Sequence, residues 1–133
     1  MSKTKLIKAA DIMSDNFVVL DGMNTVRDAI NTMRDKKTDV IIVNKRTEHD
    51  SYGIVVLADI AKYVLAKDRA PERVNIYEIM AKPIISVPPQ MDIRYCARMF
   101  DKFGLAHAPV IENEQVLGLI GYREIVLHES EAG

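Results

Sequence analysis

Apolar positions along the chain follow two rhythms. Val26, Ala29, Ile30 and Met33 stand at i, i+3, i+4 and i+7, a spacing that lays one apolar stripe on a helix. Arg27, Asp28, Asn31, Arg34, Asp35 and Lys36 take its wet side. Thr25 is placed to cap this helix, and Asp28 favours its positive end. Before it, Phe17-Val18-Val19-Leu20 reads as a strand closed by Asp21-Gly22. After it, Val40 to Val43 is an unbroken apolar run, as expected of a strand covered on both faces. Gly53 to Leu57 predicts another strand. Asp59 to Leu65 predicts a helix with Ile60, Val64 and Tyr63 inward. A short amphipathic turn, Ala9 to Met13, leads into this set.

The same order then returns. Ile76 to Met80 predicts a helical turn, Ile84 to Val87 a strand, and Pro88-Pro89 a break. Asp92 caps a helix that runs to Phe103 and ends at Gly104. His107–Ile111 and Val116–Ile120 predict strands joined by a tight turn, and Tyr122 to His128 a last helix. Residues 10–43 overlay residues 77–110 without a gap at an offset of 67, and Gly53 falls on Gly118 two residues out of step. Identity is sparse: only Ile12, Met13, Arg27 and Val43 meet the same residue in the ungapped stretch. The repeated quantity is the order of elements. The units read 9–66 and 76–128, joined by a charged linker over 67–75 and followed by a flexible tail over 129–133. Neither half is large enough to bury a good core alone, so the two are expected to pack as a pair with clefts between them.

The 133 residues make one domain's worth of chain, and a fold of that size buries roughly 68% of the surface its unfolded chain exposes. The net charge of −1 argues against nucleic-acid binding by bulk electrostatics. A single cysteine, Cys96, excludes an internal disulfide and fits a reducing compartment. The first eight residues carry lysines but no apolar core of a secretory signal. No apolar run approaches the ~20 residues needed to span a bilayer, so a cytoplasmic protein with no membrane partner is expected. No nucleophile elbow, phosphate loop or zinc-protease motif occurs, and three scattered histidines with one cysteine have no metal-ligand spacing. Neither catalytic residues nor a metal site nor a required cofactor is expected.

Four short stretches carry a resemblance. Asp11-Ile12-Met13-Ser14 and Glu78-Ile79-Met80 look like lead-ins of a cystathionine β-synthase (CBS) domain. Ala108-Pro109-Val110-Ile111 resembles that family's apolar-Pro-Val strand, and Gly53 to Asp59 its Gly-apolar-apolar-Thr/Ser-x-x-Asp segment. In this order, over roughly residues 9–128, the chain resembles a tandem CBS pair, or Bateman module. The fold this implies is α/β (α+β), with two β-α-β-β-α units packed as a pseudo-two-fold intramolecular pair.

The resemblance implies a stand-alone regulatory module. It would bind an adenosine-containing ligand (AMP, ADP, ATP, NAD(H) or S-adenosylmethionine) and signal to an unidentified protein by conformational shift. A homodimer formed through the helices at 25–36 and 92–103, with Tyr95, Met99 and Phe103 exposed, is implied as well. By the same resemblance Asp59, next to Ala58, would accept from both ribose hydroxyls, which suits a bidentate carboxylate. Lys82, Pro83, Ile85, Leu105, Ala106 and His107 would form the adenine slot. A second, weaker cleft would join Glu124 and Arg123 to Ser14, Asn16, Val18, Thr38, Asp39 and Val40. The sequence departs from the family where phosphate is usually met by a hydroxyl: Val56 and Gly121 stand there, and Glu124 replaces the second Asp. A phosphate would need Lys82, Arg123 or another nearby base.

Plainer roles compete for the same residues. Asp59 also suits a helix N-cap. His107 reads either as a half-buried strand histidine or as a pH-sensitive slot residue. Cys96 reads as core. Arg94, Arg98 and Lys102 read as a solvated face or a partner contact. The alternative to a ligand sensor is an interaction or dimerisation module with degenerate clefts.

Overall fold

A computed structural model describes residues 6–132, with side chains through His128. The leader expectation for the first five residues, and Gly133 of the expected tail, lie outside the described residues. The elements are α1 (Ala9–Ile12), β1 (Val18–Leu20), α2 (Val26–Lys36), β2 (Val40–Val43), β3 (Gly53–Val56), α3 (Leu57–Tyr63), α4 (Ile93–Phe103), β4 (His107–Glu112), β5 (Gln115–Gly121) and α5 (Tyr122–Ala132). Three short 3-10 turns, Leu65–Lys67, Pro71–Arg73 and Ile76–Glu78, lie between α3 and α4.

The chain folds as two compact units, 16–84 and 1–15 with 85–133. These packing units are not the sequence repeats. In the 16–84 unit β1 pairs parallel with β2, and β2 antiparallel with β3. Val26, Ala29 and Met33 of α2 pack on Ile41, Val43 and Val55, together with Ile76 and Ile79 from the lead-in of the second repeat. In the other unit β4 and β5 form an antiparallel pair. Ile93, Cys96 and Phe100 of α4 pack there with Val110, Ile120, and Ala9 and Ile12 from the lead-in of the first repeat. Each lead-in therefore completes the core built by the other repeat.

Backbone pairing fixes each lead-in. Ile54 and Ala81 exchange N–H···O bonds of 3.0 and 2.9 Å, and Ser14 and Leu119 bonds of 2.8 and 2.9 Å. Gly53 and Gly118 lie at these crossings. A Cβ on Gly53 would meet the Met80 sulfur at 2.8 Å, and one on Gly118 would meet Met13 side-chain atoms at 2.7 Å. The matched glycines and the matched methionines are thus two sides of one contact, made twice.

Local signals behave as their chemistry dictates. Thr25 Oγ1 accepts from Asp28 N (3.1 Å) while Asp28 returns the bond to Thr25 N (3.0 Å), closing a capping box. Asp92 caps α4 by accepting from Arg94 N, and Gly104 ends it in the left-handed region at φ 66°. Cys96 is fully buried, and burial pushes its thiol up to about 11, so it packs as an inert apolar group.

Three expectations are corrected. Residues 129–132 are not a separate tail, because α5 continues through Ala132. Ile84 to Val87 is not a strand: only Val87 pairs, in a single bridge to Val110, because Pro88 and Pro89 carry no N–H to continue a ladder. Tyr63 is 46% exposed, not inward, while Ile60 and Val64 are buried as their i, i+4 spacing requires. The expected solvated linker is also ordered in part. Val74 is buried, and its carbonyl accepts from Val26 N at 2.8 Å.

Candidate functional site

The Asp59 site begins with how α3 starts. Asp59 is not the N-cap expected of it. The helix opens two residues earlier, and Asp59 occupies its third position, where one carboxylate oxygen (Oδ2) accepts from Val56 N at 2.9 Å. That bond satisfies one of the donors a helix leaves open at its start. The other oxygen has no hydrogen bond to a described residue.

Asp59 and Tyr63 line one side of a pocket of about 420 Å³. Lys67 and Arg69, from the turn after α3, and residues 78–81, from the second lead-in, complete its wall. All belong to the 16–84 unit. Arg69 pairs with Glu78 at 2.9 Å, and the other Glu78 oxygen accepts from Asn75 N at 2.8 Å. These bonds, the Asn75 N–H first and Arg69 second, hold the Glu78 carboxyl below its ordinary range.

The predicted site residues divide between the two units. Asp59, Ala58, Lys82 and Pro83 belong to the 16–84 unit, but only Asp59 of these lines the pocket. Lys82 is instead paired with Asp50. That bond, followed by the backbone N–H groups of Arg46 and Ser51, lowers the Asp50 carboxyl to about 2. Ile85, Leu105, Ala106 and His107 belong to the other unit.

Of the second predicted set, Asn16, Val18, Thr38, Asp39 and Val40 lie in the 16–84 unit, at the end of the sheet where Leu57 N donates to Asp39 O at 3.1 Å. Thr38 is buried and bonds both backbone groups of Val40 at 3.3 Å. Ser14, Arg123 and Glu124 lie in the other unit, where Glu124 repeats the wiring of Asp59. Its Oε1 accepts from Gly121 N at 2.6 Å, and Gly121 pairs in register with His107, as Val56 pairs with Val40. A Cβ on Gly121 would meet His107 Nδ1 at 3.0 Å and Glu124 Oε1 at 3.3 Å, so the space a serine side chain would need is already narrow.

Sequence reasoning missed Lys67, Arg69 and Glu78. Charge in a linker reads as solvation, and only the fold-back after α3 turns it toward Asp59.

A second concavity, about 690 Å³, lies along α4 and is lined mostly by apolar groups, among them Leu6, Pro88, Met91, Tyr95, Met99 and Phe103. Tyr95 is 58% and Phe103 54% exposed. The matching positions on α2 are Asp28, Thr32 and Lys36, so the apolar face belongs to one repeat only. Among the described residues no helix is long and apolar enough to cross a membrane, and no cluster of His, Cys, Asp and Glu could hold a metal.

The family model for the CBS domain matches residues 9–66 and 76–131. The hexameric CBS-CP12 protein from bloom-forming cyanobacteria superposes with a TM-score of 0.90 at 39% identity, over 93% of this chain and 72% of that one. The CBS domain pair of protein MJ0100, in complex with 5′-methylthioadenosine and S-adenosyl-L-methionine, superposes with a TM-score of 0.82 at 20% identity, over 97% of this chain and all of that one. A homoserine O-acetyltransferase of Methanosalsum zhilinae is 31% identical over 121 residues, which are 90% of this chain and 23% of that protein. The chain spans 59% of an uncharacterized protein of Methanocaldococcus jannaschii and 44% of one from Methanopyrus kandleri.

Proposed function

The chain belongs to the CBS domain family and carries two copies of that domain, and from this premise we propose that it is a non-catalytic regulatory module that binds an adenosine-containing ligand at Asp59. The observation that carries this reading is the Asp59 carboxylate. One oxygen is fixed by the Val56 N–H, and the side chain lines a pocket of about 420 Å³. A sugar diol needs such an acceptor already oriented by the backbone. The pocket lies within the usual range of small-molecule sites. That the MJ0100 pair is a complex with two adenosyl ligands supports the same class of ligand here. Ala58, Lys82 and Pro83, in the same unit as Asp59, remain the proposed surroundings of the base. Glu124, with Arg123 and Ser14 of its own unit, is the proposed weaker site. Binding acts by population shift: the ligand favours one conformation by its difference in affinity for the two, and a partner reads the result.

The test is calorimetric titration of adenosine, AMP, ATP, NAD and S-adenosylmethionine against the wild type, Asp59→Ala and Asp59→Asn. Loss of hydrogen bonds to a charged acceptor should cost about 1.5–3 kcal/mol, roughly 10–150-fold in Kd. Asp59→Asn keeps an acceptor for Val56 N, which separates ligand loss from helix fraying. Affinity unchanged in both variants would remove Asp59 from the site.

The α4 groove favours a second role, contact with another copy of the chain. We place a homodimer interface on Tyr95, Met99 and Phe103, without the polar α2 face. Tyr95→Asp and Phe103→Asp should each weaken association by about 2 kcal/mol, roughly 30-fold. Light scattering over a dilution series reads this, and an unchanged mass in the double variant would move the interface elsewhere.

A further inference from the structure

We propose that Met80 is a reversible oxidation site, at which a hydroperoxide turns the thioether into a sulfoxide and loosens one wall of the Asp59 pocket. Met80 stands on the seam between pocket and core. It is half-buried and lines the pocket with Asp59 and Tyr63, so a small oxidant reaches it from that side. On its other side it packs against the core that holds Val55 and Ile79. Its sulfur rests on the bare backbone of Gly53, where a Cβ would meet the sulfur at 2.8 Å and Cγ at 3.4 Å.

The step needs one co-reactant. A lone pair on the Met80 sulfur attacks one oxygen of hydrogen peroxide. The S–O bond forms and the O–O bond breaks. The second oxygen leaves as hydroxide and takes the proton of the first, giving water. The sulfur loses the two electrons that the peroxide gains, and thiol-dependent reduction of the sulfoxide reverses the change.

The product no longer suits its place. A flexible apolar group has become polar and chiral. Holding an S=O group against a glycine backbone and an aliphatic core costs free energy unless it finds a donor, so the side chain turns toward water in the pocket. The next residue is the one that fixes the second lead-in: Ala81 and Ile54 exchange N–H···O bonds of 3.0 and 2.9 Å. Moving the sulfur off Gly53 therefore disturbs this crossing and the pocket wall together. The effect on a ligand rests on the reading of Asp59 as the sugar acceptor, whereas the effect on the crossing does not.

Limited hydrogen peroxide treatment of the full chain, followed by peptide mass mapping, tests the first step. Met80 should oxidise after Met23, which is 63% exposed, and well before buried Met33. Hydrogen exchange read by NMR tests the second. The Ile54 and Ala81 amides should exchange about tenfold faster in the oxidised protein, and methionine sulfoxide reductase with dithiothreitol should restore them. Met80→Leu, a swap that keeps volume, should hold its own exchange rates through the same treatment. Adenosine affinity should fall about tenfold on oxidation of the wild type and return on reduction. Met80 as slow to oxidise as Met33, unchanged exchange at both amides, or adenosine bound equally by the reduced and oxidised wild type overturns the proposal. If adenosine binds neither form, the Asp59 reading fails, and the exchange rates alone decide the oxidation site.

Discussion

Phe100→Ala should lower stability by about 3–5 kcal/mol. Phe100 is fully buried in the core built by α4, β4 and β5, and its ring meets Tyr122 edge-on at a centroid distance of 5.3 Å and 76°. Truncation removes that contact and leaves a hole. A loss of this size is a large share of the 5–15 kcal/mol that holds a typical domain folded. Urea denaturation followed by circular dichroism measures it. Hydrogen exchange should locate the weakening in β4, β5, α4 and α5, with α2 and β2 less affected. Phe100→Leu, which keeps most of the volume, should recover much of the loss.

Gly118→Ala comes next, at about 1–3 kcal/mol from overpacking. Its new Cβ would lie 2.7 Å from Met13 Cγ and Sδ and 2.9 Å from Ser14 O. A methionine side chain can swing away. The Ser14 carbonyl cannot, because it accepts from Leu119 N in the ladder. Gly53→Ala is the internal control: there the close atom is the Met80 sulfur at 2.8 Å, and the backbone oxygen of Ala81 is farther off at 3.3 Å. It should cost less. Thermal melts of the two variants should rank Gly118→Ala below Gly53→Ala, and Met13→Ala should rescue Gly118→Ala only in part. The reverse ranking would mean that the methionine, not the carbonyl, sets the cost.

What could be read from sequence is what is decided locally. The stripe on α2, the box at Thr25, the cap at Asp92 and the stop at Gly104 each depend on neighbours within a few residues, and each is found where its chemistry places it. Ile84 to Val87 misleads because an apolar run predicts a strand while the prolines that follow deny it donors. Tyr63 misleads because its i+3 spacing from Ile60 puts it only at the edge of the stripe that Ile60 and Val64 bury. The exchange of lead-ins is not written in the repeat at all. Equivalent segments fit equivalent sheets, and nothing in Ile12-Met13 or Ile79-Met80 says which sheet each will join. The same gap hides the pocket wall. Asp59 is conspicuous by its motif, whereas Lys67 and Arg69 gain meaning only from where the backbone returns.

The exchange has a consequence for ancestry. A protein made of one such repeat could finish its sheet only by lending its first dozen residues to a sister molecule and taking hers in return, so its folding would depend on concentration. Fusing two repeats on one chain turns that loan into an internal one with a high effective concentration. Duplication here would then have done more than add a second half: it would have freed a pair of borrowers from having to meet.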